Sequence, residues 1–204
     1  MLLLLSLVSL SLVLGEEYTV ANYPNPKRGG YEECNMRSAS FVCDPYETLS
    51  ESERYRINSQ LVNFITRTEE SGSTFCDKKG TEVMFLIHQE ASQQFADSLR
   101  QKWNMDAQCG KNGFFVLSLN DRKIYGSFDE RSPIRVAELM AIIATEDENV
   151  KTGAYTTAMT KILKEVAATQ FPLTGRPTTV SPKKSGNMVT GLVTAFLTIV
   201  LYII

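Results

Sequence analysis

The chain has 204 residues with 21 Lys and Arg against 23 Asp and Glu, a net charge of −2. That balance supplies no broad basic field of the kind that binds nucleic acid. Its single histidine, with no Cys-x-x-Cys pair, leaves no zinc-type ligand cluster.

Residues 1–15, MLLLLSLVSLSLVLG, form an apolar run with Val13 and Gly15 placed as small residues before a cleavage at Glu16. This reads as a secretory signal peptide, although no Lys or Arg precedes it. Residues 16–37 are rich in Pro, Gly and Asn and read as an extended lead-in. SFVC is a short strand candidate. Ser50 with Glu53 forms a capping box before a helix whose apolar stripe is Ile57, Leu61, Phe64 and Ile65, running to about Thr68.

SGSTFCDKKG reads as a loop, and residues 81–88 as a buried strand. Ala91, Phe95, Leu99 and Trp103 recur every four residues and mark a second helix with a core-facing stripe. Residues 114–119 are another buried strand, and 123–128 return after a tight NDR turn as a hairpin arm. Ser132-Pro133 is placed as cap and first-turn proline of a third helix, with Val136, Leu139, Met140 and Ile143 on one face. After Gly153 a fourth helix carries Tyr155, Ala158, Met159, Ile162 and Val166.

Residues 172–187 have a stalk's composition, extended and coreless. The run at 188–204, MVTGLVTAFLTIVLYII, would span about 25 Å as a helix. Two readings stand: a single transmembrane helix, or a lipid-anchor signal preceded by the small residues Ser185, Gly186 and Asn187. In a helix, Thr190, Thr194 and Thr198 with Gly191 and Ala195 make a stripe that lets a second helix approach. Thr is also simply tolerated in membrane helices.

The order β-α-β-α-β-β-α-α predicts an α/β domain over residues 38–171. It is a three-layer sandwich whose mixed sheet has a parallel core and a C-terminal hairpin strand, flanked by about four helices. Four cysteines on a secretory route imply two disulfides. Cys76 and Cys109 both lie in loops leading into strands, at one sheet edge, which pairs them and leaves Cys34 with Cys43.

Asp44 and Asp121 follow strands at the edge where open α/β sheets bind ligands, so a shared Ca²⁺ or Mg²⁺ is one reading of them. The structural reading is an Asp-Pro turn and a hairpin turn. His88 has no catalytic partner visible in sequence and reads as structural. The Glu51, Glu53, Arg54 and Arg56 cluster reads as a solvated helix face.

The ordered set YPNPKRGGYEEC, VCDP with LSESERYRIN, FCDKKG, KW with CGKNG, NDRKIYG and TGAYTTAM resembles the nematode modulator of levamisole receptor family, within the TPM-domain superfamily. The resemblance runs from about Tyr23 to Phe171. It implies a non-enzymatic auxiliary membrane protein at the cell surface, typically with one transmembrane helix. Such a protein would associate with levamisole-sensitive nicotinic acetylcholine receptor channels at muscle synapses and increase their gating. Plant and bacterial TPM-domain relatives imply an alternative, a metal-dependent phosphatase using Asp44 and Asp121. No cofactor other than that cation is expected.

Overall fold

The computed structural model describes residues 17–171. Four strands, β1 (Val42–Cys43), β2 (Glu82–His88), β3 (Asn112–Ser118) and β4 (Lys123–Phe128), make one sheet in the order β1-β2-β3-β4. β1, β2 and β3 are parallel, and β4 returns antiparallel beside β3. The helices are α1 (Glu51–Arg67), α2 (Phe75–Lys78), α3 (Gln93–Trp103), α4 (Val136–Thr145), α5 (Asp147–Lys151) and α6 (Tyr155–Gln170). The mixed α/β sheet predicted from the order of elements is the observed one.

Strand alternation builds two cores from one sheet. Val83, Phe85, Ile87, Phe115 and Leu117 point to the side occupied by α1, α4 and α6, where Ile57, Leu61, Phe64, Leu139, Met159 and Ile162 meet them. Met84, Leu86, Phe114 and Val116 point the other way, onto α3. The period of two sends successive side chains to opposite faces, and both faces are covered, so the central strands are apolar throughout. Each large side chain buried there contributes about 1.5–3 kcal/mol. Pairing of Phe85 with Phe115 and of Phe115 with Gly126 sets the register across the three long strands. A one-residue slip would exchange the two cores.

The lead-in departs from expectation. Residues 17–37 contain no helix or strand, yet they run as successive turns rather than extended chain, and they bury Tyr23, Cys34 and Met36 against the α3 face. One helix layer therefore consists of α3 together with this coiled segment. Its Pro and Gly content marks turns, and the aromatic and disulfide residues among them supply the packing.

Two short helices were not expected, α2 where a loop was read and α5 before the Gly153 break. α2 is four residues long, opened by a capping box between Thr74 and Asp77, and α5 occupies the link between α4 and α6. Neither is long enough to show a periodic stripe.

The start and face of α4 differ as well. Ser132-Pro133 does not cap it. Ser132 Oγ accepts from the Ile134 N–H at 3.3 Å in a separate turn, and the helix begins at Val136. The Arg135 N–H donates to Gln170 Oε1 at 2.6 Å, so the end of α6 fixes where α4 starts. Leu139, Ile142 and Ile143 are buried, whereas Val136 and Met140 are exposed. Val136–Thr145 is apolar on nearly every side, and docking of Ile134 and Leu139 selects the rotation. In α3 the buried face is Ala96, Leu99 and Trp103, with Phe95 half-buried.

Among the described residues no helix is long and apolar enough to cross a membrane. The signal at 1–15, the stalk at 172–187, the apolar run at 188–204 and the stripe Thr190, Gly191, Thr194, Ala195 and Thr198 lie outside those residues.

Candidate functional site

The C-terminal ends of the parallel strands carry the residues singled out in the sequence. Asp44 follows β1 and is fully buried. Its Oδ1 accepts from the Thr48 N–H at 3.0 Å and its Oδ2 from the Leu49 N–H at 2.8 Å. Arg54 lies behind it, Nη1 to Oδ2 at 3.7 Å, and the same nitrogen donates to the Leu49 carbonyl. Three elements thus meet at one carboxylate: the strand end, the 44–50 loop and the first turn of α1. Ser50 then caps α1, accepting from the Glu53 N–H at 3.4 Å, while Glu53 accepts from the Ser50 N–H at 2.9 Å. Arg54 is 7 % exposed, which removes it from the solvated face expected of its charged neighbours. The signal was present in the spacing, since Arg54 falls three residues before Ile57 on the buried stripe.

Asp121 stands apart. It lies in the exposed β3–β4 turn and accepts from the Tyr125 hydroxyl at 2.7 Å. Burial raises its pKa, but bonds from the Ser118 and Tyr125 hydroxyls outweigh this and hold the carboxyl below its ordinary range. The same Asp121 bond, then burial, pushes the Tyr125 phenol up. β2 lies between the strands that carry Asp44 and Asp121, so their strands are two spacings, about 10 Å, apart. A cation at Asp44 would compete with two backbone donors and face a guanidinium, a donor set that does not fit Ca²⁺ or Mg²⁺. Among the described residues no group of three or more His, Cys, Asp or Glu is placed to hold a metal ion.

Between these two aspartates the strand ends are covered by the chain's own N-terminal segment. His88 Nδ1 accepts from the Glu90 N–H at 3.1 Å, so Nε2 carries the proton and donates to the Tyr18 carbonyl at 2.6 Å. The Tyr23 hydroxyl donates to the Ile87 carbonyl at 2.6 Å, and burial first, then the neighbouring Tyr46, pushes its pKa well up. Lys102 Nζ donates to the Val20 carbonyl at 2.7 Å. The rings of Tyr18, Tyr23, Tyr46, His88 and Phe95 pack edge-on or tilted, with centroids 4.4–6.2 Å apart. His88 is 3 % exposed and structural. The edge where open α/β sheets receive ligands is filled here by residues 18–23.

The opposite edge is a charged junction around a disulfide. Cys76 is bonded to Cys109, and Cys34 to Cys43. Asp106 receives Lys79 at 3.0 Å and the Lys111 N–H at 2.8 Å. Burial raises the Asp106 pKa, but the bonds from Lys79, Lys111 and Cys109 prevail and hold it low. Lys111 Nζ is turned inward onto the carbonyls of Asp77 and Lys79.

The family model described as modulator of levamisole receptor-1 matches residues 18–122, just over half of the chain. The matched segment spans the covered strand ends, both disulfides and the 44–50 loop. No curated protein matches the chain. Among solved structures, the N-terminal domain of a P. gingivalis protein is 16 % identical with a TM-score of 0.56, covering 74 % of this chain and 90 % of that one. The N-terminal domain of the cg2496 protein from Corynebacterium glutamicum is 11 % identical with a TM-score of 0.47, covering 64 % and 80 %. The first likeness shows a shared fold and nothing about activity. The sequence match over the whole N-terminal two-thirds of the described domain shows more: this chain belongs to the modulator of levamisole receptor-1 family.

Proposed function

We infer that the protein is a membrane-tethered extracellular auxiliary subunit that associates with levamisole-sensitive acetylcholine receptor channels and increases their response to agonist. The family match over residues 18–122 carries this reading. Two disulfides agree with an oxidising, extracellular setting. The apolar run at 188–204 supports a tether, either as a span or as a lipid-anchor signal. A sheet edge filled by the chain's own N-terminal segment suits a binding protein, because no open pocket at the strand ends is needed for its task. Nothing in the surroundings of Asp44 or Asp121 favours the hydrolytic alternative.

Co-expression of the full chain with receptor subunits, followed by recording of agonist-evoked current and co-purification, tests the reading. Larger currents and recovery of receptor with the chain are expected. Unchanged current together with no co-purification would overturn it. Release of the chain from intact cells by a phosphatidylinositol-specific phospholipase would identify the tether as a lipid anchor, and retention would identify a span.

A further inference from the structure

We propose that the outward face of α4 rests on the lipid surface to which the chain is tethered, with Val136 and Met140 entering the boundary between headgroups and acyl chains. The proposal rests on the tether reading above and specifies which part of the domain lies against the membrane.

Val136, Ala137, Met140, Ala141 and Ala144 are all exposed. On a helix of 3.6 residues per turn they form one continuous arc about 140° wide, turned away from the buried Leu139, Ile142 and Ile143. Val136 is 51 % and Met140 40 % exposed, one turn apart on this face, whereas the other exposed large hydrophobics among the described residues, Val62 and Phe75, stand singly on separate helices. A surface helix ordinarily carries charge on its outward side. The one charged side chain within α4 is Glu138, and Arg135 holds it, Nε to Oε1 at 2.7 Å and Nη2 to Oε2 at 2.6 Å. Toward α6 the arc is bordered by Lys161, paired with Glu146 at 3.3 Å, and by Lys164 beside Glu165. The face is therefore apolar, and its border balances positive against negative charge.

Position and chemistry select the occupant. The Arg135 N–H bonds Gln170 Oε1 at 2.6 Å and its guanidinium donates to the Thr169 carbonyl at 3.3 Å, so the chain leaves the described domain beside the first turn of α4. Residues 172–187 separate that point from the apolar run at 188–204, a tether no more than about 55 Å long even when fully extended. The end of the domain that carries Val136 is thus the end held to the membrane. Protein contacts are centred on aromatic and Arg anchors, and this arc has neither. It also lies beyond residue 122, outside the family-matched segment that carries the receptor reading. A helix lying in a lipid interface needs an apolar face, and a border without net charge suits a zwitterionic leaflet rather than an anionic one. Alone so short a helix would bind weakly, but the tether keeps it at high effective concentration over the lipid.

The test uses the full chain reconstituted into phosphatidylcholine vesicles that include a phosphatidylcholine with a photoactivatable diazirine near its glycerol. After illumination, labelled peptides are mapped by mass spectrometry. Labelling of residues 136–144 is expected to exceed severalfold that of α3, which packs on the other face of the sheet, and to fall to the α3 level in Met140→Glu. Mobility on a non-reducing gel establishes that this variant keeps both disulfides, and the unaltered chain decides the proposal even without it. Equal labelling of α4 and α3 in an unaltered chain that stays with the vesicles would overturn the proposal while leaving the tether reading intact. Failure of the chain to stay with the vesicles would overturn both. Loss of α4 labelling when receptor subunits share the vesicles, or cross-linking of α4 to a second copy in place of lipid label, would make a protein the occupant and also overturn it.

Discussion

Asp44 shows how a buried charge can be structural. Its carboxylate has no exposure, and the Arg54 side chain facing it is 9 % exposed, so both have left water. Pairs of this kind gain little net stability, but removing one member strands the other. Asp44→Ala is expected to cost about 3–5 kcal/mol in urea unfolding, because it leaves the buried guanidinium without its counter-charge and two N–H groups without an acceptor. The double variant Asp44→Asn with Arg54→Met should recover part of that loss. A cycle showing strict additivity would mean that the two side chains do not act as a pair. Asp121 differs in every respect, exposed and bonded only within its hairpin, which is why one reading could not serve both carboxylates.

At the level of elements, α1 is the best-specified helix. Ser50 and Glu53 close its N-terminus, and the Thr156 hydroxyl of α6 adds a 3.3 Å bond to Glu53. Ser50→Ala should cost about 1 kcal/mol in thermal or denaturant unfolding. The two bonds from Ser50, side chain and backbone, are the main cause that holds the Glu53 carboxyl below its ordinary range. Its stabilising effect is therefore complete above the unfolded-state pKa and is lost as pH falls through the lower, folded one. Stability measured from neutral pH downwards should decline less in Glu53→Gln than in the unaltered chain over that acidic window. An identical decline would remove the capping box from the acid response.

For the molecule as a whole, the two disulfides do different work. Cys34–Cys43 spans 9 residues and is buried, sealing the turn-rich segment onto the end of β1. Cys76–Cys109 spans 33 residues, linking the 69–78 loop to the segment before β3. Chain entropy alone assigns about 3 kcal/mol to the shorter loop and about 4 kcal/mol to the longer. Replacing Cys76 and Cys109 together by Ser should therefore lower the thermal midpoint clearly. It should also increase amide exchange in residues 69–78 more than in β2 or β3. A midpoint unchanged by that double replacement would show that the bridge carries no stability.

The sequence by itself determined the order of the strands and the four longer helices, the parallel core, the capping box of α1 and the number of disulfides. Each of these is written in local chemistry: period-two apolar runs, a Ser-x-x-Glu spacing, an even cysteine count on a secretory route. Tertiary structure decided what local patterns leave degenerate. Val136–Thr145 is apolar on most sides, so only docking of Leu139 and the Arg135–Gln170 bond chose which face turned inward. Arg54 is one charge among several in the sequence, and Asp44 behind it sets it apart in the fold. The lead-in had a loop's composition, yet Tyr18 and Tyr23 close the strand ends because His88 and Ile87 present bonding partners there. Four residues of α2 could not declare a helix; the bridge to Cys109 and the Lys111 bonds to the Asp77 and Lys79 carbonyls come from residues far along the chain. Local sequence sets what an element is, whereas its rotation, burial and partners depend on groups tens of residues away.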